Sequence, residues 1–286
     1  MHYQHLIFDL YGTLADIHTD ESKKELWKLL AVWYGSHGAA YTPWNLKKEY
    51  RLLVQETIRQ TALRHPQYTA VDIRLETVFE RLYSRRGIQA SKELAMETAL
   101  FFRTMSRTYL RLYPGVRETL RQLKAQGRHI CLLTNAQAAF TLPELQLLGI
   151  ADLFDAIVIS STEECKKPDP HFFQILSERY QVEKSSALMI GNDPYTDIAG
   201  ANAYGIDSVY LHSGLSPTWT GRPDSTFIIP DGRLEKLKKL LSRCFRPVRK
   251  THLLHIHGLK IRIVLQPDRS IFFTDLLQLL RAGRIG

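Results

Sequence analysis

Cysteine is scarce: Cys131, Cys165 and Cys244 are the only three in 286 residues. They are odd in number, widely separated and in no metal-type spacing, which argues against a disulfide framework or a zinc knuckle and leaves three free thiols as the expectation. Long apolar runs are missing as well. No stretch approaches the roughly 18 residues that cross a bilayer, so no membrane partner is expected. The chain passes almost directly from Met1 into the strand-like Leu6, Ile7 and Phe8, and a cytoplasmic protein is the corresponding expectation. Internal repeats and low-complexity tracts are absent too, which argues against solenoid and fibrous architectures.

What is present is an ordinary globular composition, 44% hydrophobic and 23% charged, at a length that suits one main domain with a smaller insert. The formal net charge is +9, but it is unevenly placed. Residues 242–286 hold nine Lys and Arg against two acids, so most of the excess belongs to a C-terminal extension. Without a recognised binding motif or an aromatic platform beside it, that charge predicts a solvated tail and not a nucleic-acid partner.

Along the chain the hydrophobic period changes twice. Residues 3–10 read as a buried strand that ends in Asp9 and runs into the turn Tyr11-Gly12-Thr13. Residues 19–111 follow helical spacing, as at Leu26, Leu29, Leu30 and Trp33, with few strand-like stretches and with Pro43, Pro66 and Gly87 as punctuation. From Pro114-Gly115 onward, helices at 116–126, 138–148, 171–180 and 196–204 alternate with strands at 129–133, 156–160, 187–190 and 207–211. Such alternation predicts an α/β fold, a doubly wound parallel sheet with helices on both faces. The expected organisation is an α/β core of residues 1–16 and 112–246, a helical insert at 17–111 and a basic extension at 247–286. In the extension, 259–265 reads as a strand and 276–280 as a short helix, with His252, His255 and His257 as surface histidines. Trp27, Trp33 and Trp44 are expected in the core of the insert.

Ligands bind at the carboxyl ends of strands in such a sheet, and four strand ends here deliver useful chemistry. The first gives Asp9. The strand through Leu133 gives Thr134 and Asn135; the one at Ile159 leads to Lys166, Lys167 and Pro168; the one through Ile190 gives Asn192, Asp193 and Asp197. A single Asp or Thr-Asn after a strand is usually a cap or a turn. Four in succession, supplying carboxylates, a hydroxyl and an ammonium, point to a site.

In order and spacing, Ile7 to Leu14, Leu132 to Asn135, Lys167 to Phe173 and Ile190 to Ala201 resemble the four motifs of the haloacid dehalogenase-like superfamily over residues 3 to about 212. The resemblance implies that Asp9 is a covalent nucleophile forming an aspartyl ester that water hydrolyses, and that residues 17–111 form a helical cap. Thr134 would hydrogen-bond the transferring group, and Lys167 would keep Asp9 ionised. Tyr11, Gly12, Thr13 and Asn135 would bind or frame a small, anionic substrate. Asp9, the Tyr11 carbonyl, Asp193 and Asp197 would hold Mg²⁺.

At Tyr11 the chain departs from the superfamily's phosphatases, which typically carry a second Asp there to protonate the leaving alcohol. Haloacid dehalogenases resemble this chain in carrying Tyr, since a departing halide needs no proton. Asp193 beside Asp197 favours the metal-dependent phosphatase. The expected activity is therefore a Mg²⁺-dependent phosphatase of small phosphorylated metabolites. The alternatives are a metal-free 2-haloacid dehalogenase, or a non-catalytic binding or regulatory protein on the same scaffold.

Overall fold

A computed structural model describes residues 3–244, with side chains described to Leu241, and the backbone of two strands beyond them. Its first strand, β1 (His5–Phe8), is buried along almost its whole length and lies between two other strands of a six-stranded sheet. A strand covered on both faces reads as a continuous apolar run, which is why Leu-Ile-Phe needs no polar alternation. Following it, β2 (Ala15–Thr19) leads into four helices, α1 (Lys24–Ser36), α2 (Pro43–Arg64), α3 (Leu75–Ser84) and α4 (Lys92–Ser106), and β3 (Arg107–Leu112) leads out of them. The alternating part comprises α5 (Val116–Ala125), β4 (His129–Thr134), α6 (Ala138–Leu147), β5 (Ala156–Ile159), the single turn α7 (Ser160–Glu163), α8 (Pro170–Tyr180), β6 (Ala187–Gly191), α9 (Ala199–Tyr204) and β7 (Asp207–Leu211). It closes with β8 (Phe227–Ile229) and α10 (Glu235–Cys244).

The sheet order is β5-β4-β1-β6-β7-β8, and every pair in it is parallel. The α/β doubly wound fold expected from the alternation is therefore the one observed. After β1 the chain fills one side of the sheet with β4 and β5, then returns to the other side with β6. That reversal makes β1 the topological switch point, where a crevice opens at the carboxyl edge. Phe8 pairs with Leu132 on one side and Ile190 on the other, so Asp9 emerges beside the ends of β4 and β6.

Two features departed from the helical pattern expected of residues 19–111. β2 and β3 pair antiparallel, Ala15 opposite Leu112, as a two-stranded stem beneath the insert. Both strands are short and half-exposed, so their sequences lack the apolar alternation that marks a strand. Trp44 is 70% exposed, whereas Trp27 is buried and Trp33 packs at the edge of the core. The reason is local: Pro43 opens α2 under a Thr42 cap, and Trp44 falls on the solvent side of that first turn, with the Lys48 ammonium 5.1 Å from its ring.

The helical turn expected at 196–204 starts earlier, as a π-helical turn at Pro194–Ile198 that continues into α9. A second compact unit spans Leu241–Gly286, and within it β9 (Thr251–Ile256) and β10 (Leu259–Val264) form an antiparallel hairpin. The side chains of His252 and His255, His257 itself and the helix expected at 276–280 lie outside the described residues. Among the described residues, no helix is long and apolar enough to cross a membrane.

The insert is held together by aromatic packing. Phe102 of α4 has Trp27, Tyr50 and Phe79 rings within 5.9, 5.5 and 5.3 Å of its own and is fully buried. Truncating it would leave a cavity among three rings. Phe102→Ala is expected to lower stability by about 3–5 kcal/mol, read as a fall in the urea midpoint with an unchanged slope.

Candidate active site

Asp9 follows β1 directly and is 7% exposed at the carboxyl edge of the sheet. Lys167 reaches it from the loop ahead of α8. The ammonium donates to Asp9 Oδ1 at 2.7 Å, to Asp197 Oδ1 at 2.7 Å and to the Leu133 carbonyl at 2.8 Å. All three of its N–H donors are thus engaged. Burial opposes the charge on Lys167, but Asp197 and Asp9 outweigh it and raise the lysine's pKa. For Asp197, also fully buried, desolvation is the largest effect and lifts its pKa, with Asp9 adding to the lift and Lys167 pulling against it. One cation thus serves two carboxylates.

Close approaches of backbone make this cluster possible. At Gly191, the end of β6, a Cβ would meet the Asp197 carboxylate carbon at 2.3 Å, so only glycine admits that side chain. Gly12 has φ +89°, and a Cβ there would fall 2.3 Å from Asn192 Nδ2. Asp197 Oδ2 in turn accepts from the Asp193 N–H at 3.0 Å, while Asp193 Oδ1 accepts from the Tyr195 N–H at 2.7 Å and caps the π turn.

Thr13 Oγ1 is 3.2 Å from Asp9 Oδ2 and 3.2 Å from Asn192 Oδ1. Its single proton can serve only one of them at a time. Thr134, at the end of β4, is buried, and its hydroxyl has no hydrogen-bond partner. A buried hydroxyl without a partner is costly, and a ligand oxygen would relieve it. Asn135 clasps the lysine's backbone from both sides, accepting from the Lys167 N–H at 2.9 Å and donating to its carbonyl at 3.0 Å.

Tyr11 is held in an unexpected way. Its hydroxyl donates to Glu144 Oε2 at 2.5 Å and lies 3.2 Å from Thr141 Oγ1. Glu144 Oε1 accepts from Arg103 Nε at 2.7 Å and from Arg107 Nη1 at 2.8 Å. Burial and the neighbouring Glu144 both push the phenol's pKa up. Glu144 is itself 3% exposed; burial works against its charge, but hydrogen bonds and charge from Arg103, with Tyr11 and Arg107 adding to them, hold it below the ordinary carboxylate value.

Asp9, Tyr11, Thr134, Asn135, Lys167, Asp193 and Asp197, all expected from sequence, border one polar cavity of about 180 Å³, closed by Leu215 and Pro217. Gly12 and Thr13 border a larger neighbouring cavity of about 360 Å³, with Thr13 still bonded to Asp9. Asn192, one of the strand-end residues read from sequence, borders the smaller cavity, whereas Glu144, Arg103 and Arg107 were not among the expected site residues. Glu144 offered a faint signal, as the lone acid of a mostly apolar α6.

Oxygen-bearing side chains border the smaller cavity: the carboxylates of Asp9, Asp193 and Asp197 and the amide of Asn192. Among the described residues, no three His, Cys, Asp or Glu side chains converge as a ready-made metal cage. Mg²⁺ is a hard cation that takes one or two carboxylates and keeps several waters, so this donor set fits it in kind.

A parallel sheet of this order, with buried carboxylates and an ammonium gathered at its switch point, is a doubly wound α/β core with its polar site at the carboxyl edge. The family described as haloacid dehalogenase-like hydrolase matches residues 3–205, and the chain belongs to that family. The glyceraldehyde 3-phosphate phosphatase of Methanopyrus kandleri is 28% identical over 192 residues, 67% of this chain and 77% of that protein. The phosphoglycolate phosphatase of Nitrosococcus oceani is 36% identical over 132 residues, 46% of this chain and 58% of that protein. For several such curated relatives, the chain spans only about half of their length. The solved 2-haloacid dehalogenase of Pseudomonas syringae has the same fold, with a TM-score of 0.61 at 22% identity, covering 85% of this chain and 99% of that one.

The Glu144 cluster gives a pH signature. Its lowered folded-state pKa contributes stability that is present above the ordinary value of 4.5 and is lost as pH falls through the folded value. Glu144→Gln is expected to cost about 3–5 kcal/mol at pH 7 by leaving two arginines without their counter-charge. Below the folded pKa the gap between variant and parent should shrink. Urea unfolding at pH 7 and along a descending pH series measures both; equal stability at pH 7 would show that the arginines need no partner here.

Proposed function

We propose that the chain is a phosphohydrolase of small phosphorylated metabolites that works through an aspartyl-phosphate ester on Asp9. The observation that carries this reading is the unpartnered, buried hydroxyl of Thr134 in the same small cavity as the Lys167-bonded Asp9 carboxylate. Together they offer a nucleophile, a cation and a free donor to a group of phosphoryl size. The named phosphatases among the curated relatives support it.

Asp9 Oδ attacks phosphorus, the bond to the leaving oxygen breaks, and water then cleaves the mixed anhydride to return the carboxylate. Lys167 keeps Asp9 ionised and offsets charge on the phosphoryl oxygens, and Thr134 donates to one of them. Asp197 acts through Lys167, since both its oxygens are already engaged. Mg²⁺, held by Asp9, the Tyr11 carbonyl and Asp193 with Asn192 beside them, would neutralise further phosphoryl charge. Residues 17–111 serve as a cap over the core formed by 1–16 and 112–246, and cap side chains select the substrate.

Tyr11 supports a second reading, in which Asp9 attacks carbon of a short 2-haloacid and a halide departs without a proton. Two assays separate them. Phosphate release from p-nitrophenyl phosphate or acetyl phosphate that stops on chelation supports the first; chloride release from 2-chloropropionate in the presence of a chelator supports the second. Under either reading, Asp9→Asn is expected to lower kcat by roughly 10³-fold or more, and a variant that turns over at the parent rate would remove Asp9 from the chemistry.

A further inference from the structure

The clamp on Tyr11 bears on which phosphate compounds the site can cleave, an argument that rests on the phosphohydrolase reading. When the bond between phosphorus and the leaving oxygen breaks, the electron pair stays on that oxygen. An alkoxide leaves slowly unless a side chain hands it a proton, and such general-acid help is worth about 10²–10⁴-fold.

Most hydrogen-bonding atoms of the titratable groups bordering the cavity are engaged elsewhere. Lys167 spends its three N–H donors on Asp9, Asp197 and the Leu133 carbonyl. Asp197 has one oxygen on Lys167 and the other on the Asp193 N–H. Asp193 caps the following turn through the Tyr195 N–H. Tyr11 stands two residues after the nucleophile, and its one proton lies in the bond to Glu144. Glu144 is no relay either, because Arg103 grips both of its oxygens and Arg107 the Oε1, holding the carboxylate as an acceptor. The Arg103 guanidinium also lies 5.4 Å from the Tyr11 ring centre, fixing the phenol from the helical side. Position 11 is therefore built into a structural cluster that joins α4, α6 and the nucleophile loop.

We propose that this site cleaves phosphoryl compounds whose leaving group is stable as an anion, such as acyl and aryl phosphates, and discriminates against simple alkyl phosphate esters. In the first step Asp9 Oδ forms a bond to phosphorus and the leaving group departs as a carboxylate or phenolate with the bonding pair, so no proton moves. In the second, water attacks phosphorus, the Asp9 ester bond breaks, the Asp9 carboxylate is restored, and the proton released with inorganic phosphate goes to solvent.

The test compares kcat/KM of the full chain with Mg²⁺ for acetyl phosphate, a series of substituted phenyl phosphates and 2-phosphoglycolate, read by phosphate release. A decline along the phenol series as the leaving group becomes more basic is expected, reaching about 10²–10⁴-fold between p-nitrophenyl phosphate and 2-phosphoglycolate. In Tyr11→Asp, the ratio of those two substrates within one preparation should narrow at least tenfold, a readout indifferent to the folded fraction. Should that variant not fold, the parent series decides alone. Equal kcat/KM for aryl and alkyl phosphates, or an unchanged ratio in a folded Tyr11→Asp protein, overturns the inference and leaves the phosphohydrolase reading intact. If no compound in the set releases phosphate, the phosphohydrolase reading falls and this inference with it.

Discussion

The ammonium of Lys167 holds the site together. It draws one carboxylate from the end of β1, another from the turn after β6 and a carbonyl from β4, bringing in residues as far as 158 positions away in sequence. Burying such a group costs several kcal/mol per ion, and the cost is offset only when every donor is satisfied. Here every donor is. The strand order matters for the same reason: with β1 between β4 and β6, the three acceptors arrive at one point without any long side chain having to stretch. The glycines at 12 and 191 belong to this constraint, since a methyl group at either place would collide with Asn192 or with Asp197.

Much of this was legible in the sequence because it is carried by local signals. Each of Asp9, Thr134, Lys167 and Asp197 follows an apolar strand, and a parallel sheet gathers its strand ends on one edge. The alternation of helix and strand from residue 114 onward needed only periodicity to read. What escaped were contacts between segments with no shared local pattern. The Tyr11 to Glu144 bond spans 133 positions and the Arg103 to Glu144 bond 41, and neither residue type announces its partner. The stem strands β2 and β3 were hidden for a different reason: each is stabilised by the other, and their half-exposed, charged sequences resemble loop. Trp44 was misplaced because helical spacing marks a face, while the cap at Thr42 decides which way that face begins.

The same helical segment that hides its partners also ties itself to the chemistry. Arg103 on α4 and Arg107 at the start of β3 hold Glu144, Glu144 holds Tyr11, and Tyr11 is two residues from Asp9. A change in the packing of α4 is thereby felt at the nucleophile loop through charge-assisted hydrogen bonds, which are short and directional.

The far side of the insert is anchored as well. Asp169 Oδ2, just beyond Lys167, accepts from the Thr69 N–H at 2.5 Å, the Lys166 N–H donates to the Ala70 carbonyl at 3.0 Å, and Ser160 donates to Asp72 at 2.5 Å. Mechanically, the four-helix segment is not cantilevered from its two-stranded stalk like a flap but fastened at opposite edges. Any swing about that stalk would have to break the bonds to Lys166 and Asp169, which flank the lysine in its loop.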